Sequence, residues 1–448
     1  MRILKIIHSF FPHTMAGTET YSYKLSKELA KRHEVFVFYR INDPKRYEYS
    51  LIHRRFENLE TYAINRTFKF CSSFSETYNN DIVNRKFTRI LEAIKPDIVH
   101  IHHLLFLSCG IVDEIKKRKI PILYVLHDYW LICYRGQLLK DDLTICSGSS
   151  IEACRDCLKY ILSIRKGSMY IYQLLKRRIP GQSMNLLKRL HLAIRKSDGT
   201  GEVIKWRNSL SDASSNIDLF IAPSNFIKDR FSLANFPKEK ILYCPYGFDN
   251  SSFANGYFKK KSHLLRFGYM GTLLPSKGVD ILISVFKKIK NSNVRLSIYG
   301  KLFSYAGFEF YPQTLQKLAY GDDRIQLAGE YDNKDIGKIF SEIDVLLVPS
   351  IWQENAPLVI QESFLAKTPV IASRIGGIPE LINDRINGLL FEPGNVDDLK
   401  EKMQYVIDNP AIIEEFRKNI PRVKSIEDNA AEMEHIYSKL IARENICA

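Results

Sequence analysis

Apolar residues arrive in short runs separated by polar loops and amphipathic stretches. RILKII is followed by the loop FFPHTMAGTE, then TYSYKLSKELAKR with apolar positions at helical spacing, then a second run, EVFVFY. This predicts strand, loop, helix and strand, the opening of a doubly wound parallel sheet. DIVHIHH, IPILYVLHD, NIDLFIAPS and KILYCPYGFD continue as strands, with helices FTRILEAIK before the first of these and FIKDRFSLA between the last two.

After Asp249 the pattern breaks in a polar, lysine-bearing stretch, NSSFANGYFKKKS, and restarts with LRFGYMG, TLLPSKG and VDILISVFKKIK. VRLSIYG, RIQLAGEY, DVLLVPS, PVIASR and GLLFEP then recur as strands between helices. The pattern therefore predicts two Rossmann-like doubly wound α/β domains facing a central cleft, residues 1–250 and 263–415, joined by a linker at about 250–262. Residues 416–448 form a C-terminal helical segment, for which packing back onto the first domain is one arrangement. Residues 160–205 do not fit the alternation and are expected to be an insertion, with Lys176, Arg177, Arg178, Lys188 and Arg189 interleaved among apolar residues.

A length of 448 residues agrees with two domains, and 45% hydrophobic with 26% charged residues excludes a disordered chain. The net charge of +15 favours anionic partners: nucleotides, phosphorylated lipids, an anionic membrane surface or nucleic acid. No run approaches the roughly 20 apolar residues of a spanning helix, and the start is too interrupted for a secretory signal, so a cytoplasmic protein is expected. The basic insertion suits a helix lying on an anionic membrane, which would make the protein peripheral on the inner face; a solvated helical face is the alternative. Cysteines in such a protein are thiols or metal ligands. Cys133, Cys146, Cys154 and Cys157 follow one another as C-x12-C-x7-C-x2-C, which allows a structural zinc or reduced thiols in a packed loop.

Three junctions between strand and helix carry candidate chemistry. In ENAPLVIQE, Pro357 suits the first helical position, which puts Glu354 in the loop and Glu362 in the helix, with an anion site at the helix mouth between them. GTLLPSKG puts Lys277 beside another helix start, where an ammonium group suits a diphosphate; a solvated turn lysine is the bland alternative. AGTE offers Gly17 for close backbone approach, or as a plain loop glycine, and His127 and Asp128 end ILYVLHD at the cleft.

Together E-x7-E with its flanks, the KG turn, GGIPEL with NGLLFEPG, the AGTE loop and PYGFD resemble a retaining GT-B glycosyltransferase of the large family 4 group, the glycosyl transferases group 1. The resemblance covers about residues 1–157 and 215–399. It implies a hexosyltransferase in cell-surface polysaccharide biosynthesis, with a nucleoside diphosphate sugar as donor and a glycan or lipid-linked saccharide as acceptor. It implies no cofactor or metal for catalysis, and no nucleic acid. Glu354 would bind the donor sugar's hydroxyls, Glu362 the ribose, and Lys277 the diphosphate. Amides of Asn355, Ala356 and Leu358 would hold phosphate or sugar oxygens, Gly271 and Thr272 would line the donor, Gly17 would pack against it from the other domain, and His127 would sit near the reacting carbon. The chain departs from the family at Thr272, where arginine is frequent, at Ala16, where glycine is usual, and at Tyr246, where asparagine is common. A sugar-nucleotide epimerase of the same fold and a non-catalytic sugar-nucleotide-binding subunit are the rival readings.

Overall fold

The computed structural model describes residues 1–11, 16–140, 142–148, 150–159, 161–162, 199–254, 259–302 and 308–444, which build two largely parallel sheets. The first contains β1 (Arg2–Ile7), β2 (Glu34–Ile41), β3 (Leu51–Phe56), β4 (Leu59–Asn65), β5 (Ile98–Ile101), β6 (Ile122–Val125), β7 (Leu219–Ala222) and β8 (Ile241–Tyr243). Their spatial order is β3-β4-β2-β1-β5-β6-β7-β8. The second contains β9 (Leu265–Met270), β10 (Val294–Tyr299), β11 (Ile325–Gly329), β12 (Val345–Val348), β13 (Val370–Ser373) and β14 (Gly388–Phe391), ordered β11-β10-β9-β12-β13-β14. Leaving aside the edge strand β3, each order changes direction once, between β1 and β5 and between β9 and β12, and the crevice at such a switch point is where ligands bind in doubly wound sheets.

The central strands are short and buried along their whole length, as in β5, β6, β12 and β13, because helices cover both faces. The hairpin β3–β4 is the one antiparallel pairing among the named strands, and it escapes the apolar pattern. β3 is an edge strand carrying His53, Arg54 and Arg55 to solvent, so it shows no buried stripe.

Two boundaries differ from those the pattern predicts. The helix Thr200–Ser215 buries Val203, Trp206 and Leu210 in the first domain's core, so Thr200–Lys205 belongs to that core and not to an insertion. The basic residues Lys176, Arg177, Arg178, Lys188 and Arg189 lie outside the described residues. The helix Ile412–Lys418 spans the 415/416 division and packs Ile413 and Phe416 into the second domain.

The chain then returns. Phe248 and Ser425 pair in a short parallel bridge, and the helix Ile426–Ala442 covers one face of the first sheet with Met433, Ile436 and Tyr437. Polar contacts fix its register: the Tyr437 hydroxyl lies 2.5 Å from His100 Nδ1, and Tyr21 donates to Asn429 Oδ1 at 2.9 Å. Among the described residues no helix is long and apolar enough to cross a membrane.

Candidate functional site

ENAPLVIQE follows β12. Pro357 has φ −61° and ψ 117°, so its backbone is still extended and the helix runs over Leu358–Leu365, starting one residue later than predicted. Proline's fixed φ suits this capping position as well as the first turn. Glu354 stays in the loop and Glu362 lies on the helix's second turn.

The KG turn lies against this loop. Gly278 has φ +67°, and a Cβ there would come within 2.1 Å of the Pro349 carbonyl oxygen, so only glycine lets the turn press onto the exit of β12. That contact brings Lys277 Nζ to 2.5 Å from Glu354 Oε1, with Ser350 Oγ donating to the same oxygen at 2.6 Å. Nζ also lies 5.2 Å from the centroid of the Trp352 ring, a cation–π contact. The Glu354 side chain is 6% exposed and that of Lys277 25%. The resemblance assigns these two residues separate roles; the fold pairs them, so the ammonium group is held in place before any ligand arrives.

The paired glycines of GGIPEL support the same loop. Cβ atoms on Gly376 and Gly377 would meet the Glu354 oxygen at 2.1 Å and the Asn355 oxygen at 1.9 Å, and Gly377 N donates to Glu354 O at 2.8 Å. Gly271 (φ +147°) ends β9, and the Thr272 carbonyl accepts from Tyr269 at 3.0 Å.

Glu362 faces a narrow slot between the domains, shared with Thr20, Lys24, Asp249, Asn333 and Leu358. Burial pushes its carboxyl up to about 7, against the pull of Lys24, which is itself ion-paired with Asp249. Lys24 is thus a second cation at the cleft, contributed by the first domain.

In the first domain the helix Gly17–Leu29 starts within AGTE, so Gly17 belongs to its first turn and not to a loop. A Cβ on Gly17 would lie 3.4 Å from the Leu358 side chain, which sets this turn directly opposite the helix mouth of the other domain. His127 is buried with both ring nitrogens engaged: Nδ1 lies 2.6 Å from the Tyr246 hydroxyl and Nε2 3.0 Å from His102 Nδ1. Burial lowers its pKa to about 3, with His103 adding to the effect, so the ring is neutral. Asp128 is held by His103 at 3.1 Å, and Glu19 of AGTE by His8 at 3.1 Å. Tyr246, in place of the commoner asparagine, is therefore what orients His127.

Asn355 has a role the motif does not reveal. Its side chain, in the second domain, donates to Leu126 O at 2.8 Å and His127 O at 3.1 Å and accepts from Ser224 Oγ at 2.7 Å, all in the first. Glu380 of GGIPEL caps the helix Asn225–Leu233 across the cleft, accepting from Asn225 N at 2.8 Å and Phe226 N at 2.6 Å. Tyr129 donates to Gln353 O at 2.9 Å. Ser224 ahead of an apolar-periodic stretch reads locally as a helix cap, and no one-dimensional signal says what else it holds.

Cys133, Cys146, Cys154 and Cys157 are free thiols. Arg207 donates to Cys154 Sγ at 3.6 Å and Arg135 to Cys157 Sγ at 3.8 Å. Among the described residues no three His, Cys, Asp or Glu side chains are grouped as metal ligands.

Two family models match, one in each domain: Glycosyltransferase Family 4 over residues 15–151 and Glycosyl transferases group 1 over residues 256–423. A protein of Klebsiella pneumoniae described as an uncharacterized 42.6 kDa protein in the cps region is 25% identical over 90% of this chain and 96% of its own length. An uncharacterized glycosyltransferase of Methanocaldococcus jannaschii is 32% identical over 48% of this chain and 56% of that protein. Among solved structures, sucrose-phosphate synthase from Thermosynechococcus elongatus superposes with a TM-score of 0.65 at 17% identity, covering 99% of this chain and 100% of that one. Anabaena HepE in complex with UDP and glucose superposes with a TM-score of 0.62 at 16% identity, covering 97% and 99%.

Proposed function

Since the chain belongs to the glycosyl transferases group 1 and has the GT-B fold, we propose that it moves a hexose from a nucleoside diphosphate sugar to an acceptor hydroxyl with retention. The observation that carries this reading is the Lys277–Glu354–Ser350 cluster at the mouth of the helix Leu358–Leu365, facing the first domain. Lys277 Nζ and the unpaired amides of that helix start offer positive charge to one anion, the departing diphosphate. Oε1 of Glu354 is occupied by its two donors, and Oε2 remains to accept from sugar hydroxyls. Glu362, at the far side of the helix mouth, accepts from the ribose, so the two acids straddle the diphosphate.

The protein's contribution is positioning and charge stabilisation. Attack comes from the face the leaving group departs, and the departing phosphate oxygen takes the acceptor's proton. His127, neutral and tied at both nitrogens, shapes the wall beside the sugar and moves no proton. Likeness to the Klebsiella protein over nearly its whole length supports an acceptor that is a growing glycan or lipid-linked saccharide in cell-surface polysaccharide biosynthesis.

The test is incubation with a panel of nucleotide sugars, following slow donor hydrolysis and free nucleoside diphosphate. A single preferred donor hydrolysed with its anomeric configuration retained is expected. An isomerised sugar nucleotide would make the chain an epimerase, and binding without turnover of any donor would make it a binding subunit.

A further inference from the structure

We propose that Arg40, the next-to-last residue of β2, selects the acceptor by binding an anionic group on it, the carboxylate of a uronic acid or a phosphate carried by a sugar. This rests on the transferase reading for its purpose, since it names the chemistry of the acceptor, but its evidence lies in the first domain and is separate from the donor site.

Arg40 is partly exposed and sits in the corner of two rings, its Cζ 5.1 Å from the centroid of Phe68 and 5.3 Å from that of Phe106, with the rings at 76° to each other. Its Nε donates to Arg66 O at 2.9 Å, whereas Nη1 and Nη2 keep accessible surface and have no hydrogen-bond partner among the described residues. Those two nitrogens form the edge that takes a carboxylate or phosphate by parallel hydrogen bonds. Burial of its stem, with Arg66 nearby, lowers the pKa of Arg40 to about 9, so it is charged at neutral pH. One acid, Glu48, acts on both arginines, and its oxygens already accept from Thr67 N at 2.8 Å and Phe68 N at 3.0 Å. Arg66 donates to the carbonyls of Glu76, Phe106 and Leu107. Two guanidinium groups thus share one carboxylate, and an anion at Arg40 would restore the charge balance.

The two rings are held in a strained setting. Phe68 and Phe106 both have left-handed backbones, with φ +64° and +61°, which is unfavourable for bulky side chains and is concentrated at functional sites and ligand clamps. Glu48 fixes the first turn through Phe68 N, and Arg66 the second through Phe106 O at 2.7 Å. The site also continues the cleft. Tyr39 pairs with Ile7, so Arg40 lies beside His8, about 4.8 Å away on the neighbouring chain segment. The His8 ring lies 4.8 Å from that of His103, which holds Asp128. Tyr129, the residue after Asp128, donates to the carbonyl of Gln353, the residue before Glu354. Arg40, His8, His103 and Asp128 therefore form a polar row along the carboxyl ends of β2, β1, β5 and β6, roughly 14 Å long over these strand spacings. That length suits a short oligosaccharide with its reacting hydroxyl at the Asp128 end and its charge at Arg40.

The experiment is binding of the full chain, without donor, to an array of short oligosaccharides containing glucuronate or galacturonate, printed beside their carboxyl-reduced neutral forms and beside 6-phosphorylated forms of those neutral glycans. At least one anionic glycan is expected to bind about tenfold or more tightly than its neutral counterpart, and Arg40→Gln to abolish that difference. Arg40→Lys, which keeps the charge and the ring contacts but loses the paired donors, should lose part of it, and guards against a glutamine variant that fails to fold by thermal midpoint. Arg54→Gln removes an exposed arginine on the edge strand β3 and should leave the difference unchanged. Preference for uronates assigns the anion as a carboxylate, and preference for the phosphorylated forms assigns it as a phosphate; both support the site when they depend on Arg40. Equal binding of anionic and neutral glycans overturns the proposal. So does a preference that survives both Arg40 substitutions, or one that Arg54→Gln diminishes as much as Arg40→Gln, which would make it an effect of overall charge. Failure of nucleoside diphosphates to bind would instead strike the transferase reading and leave the Arg40 site standing.

Discussion

Glu362 is a carboxyl whose ordinary value of 4.5 is raised to about 7 by burial. The folded protein therefore holds a proton across that window which the unfolded chain releases, and stability falls as pH rises through it. The thermal midpoint should drop between about pH 5 and about pH 8, and Glu362→Gln should flatten the drop, as scanning calorimetry at matched ionic strength can read. Ribose hydroxyls that donate to the carboxylate would lower its pKa again, so nucleoside diphosphate binding near neutral pH should release a proton. Titration in buffers of different ionisation enthalpy would detect that release, and Glu362→Gln should abolish it. Lys277 differs, because it is a structural partner as well as a ligand group. Lys277→Ala leaves the buried Glu354 carboxylate with Ser350 alone, which should cost about 1.5–3 kcal/mol of stability by denaturant titration, besides weakening the diphosphate. A variant as stable as the parent would mean that the pair does not form.

The paired glycines work at the level of the element. Gly377 has φ −82°, which any residue adopts, so its constraint is space: the Asn355 carbonyl oxygen would lie 1.9 Å from a Cβ. Gly377→Ala must push the ENA loop, and a displacement near 1 Å should lower kcat/KM on the order of 10²-fold while the fold survives, as circular dichroism would confirm. Wild-type kinetics in that variant would show the loop to be unconnected with catalysis. The C-terminal helix is the other element with a distant effect. Tyr437→Phe removes the partner of His100 Nδ1, a buried group, and should cost about 1–3 kcal/mol in the first domain, although Tyr437 lies far along the chain.

For the molecule as a whole, the cleft is held closed by few contacts. Asn355, Glu380 and Gln353 of the second domain meet the helix cap at Ser224–Phe226, the strand exit at Leu126–His127 and Tyr129 of the first. Asn355→Ala leaves two carbonyl oxygens and the Ser224 hydroxyl without that partner, and should shift the molecule toward an open form. Small-angle scattering should then report a larger radius of gyration, and saturating nucleoside diphosphate should restore part of the closure. An unchanged radius would mean that the remaining contacts, among them Glu380 at the helix cap, Tyr129 with Gln353 and Gly17 against Leu358, hold the cleft without Asn355.

Local pattern alone determined the two α/β domains, most of their strands and the E-x7-E junction, because buried parallel strands are continuous apolar runs and a proline fixes where its helix can start. The edge hairpin β3–β4 was not legible, since a solvent-facing strand carries no buried stripe. Nor could any local pattern show that residues 200–205 begin a core helix, which depends on what Val203 and Trp206 pack against. At the site, the sequence identified Glu354, Glu362 and Lys277 as individual groups. Only the tertiary structure decided that Lys277 and Glu354 share a hydrogen bond, that Asn355 clamps the domains and that His127 is tied to Tyr246 and His102. Periodicity and helix caps are properties of neighbours in the chain, whereas these contacts join residues 25 to 229 positions apart and exist only once the sheets have formed and, for Asn355, have closed on each other.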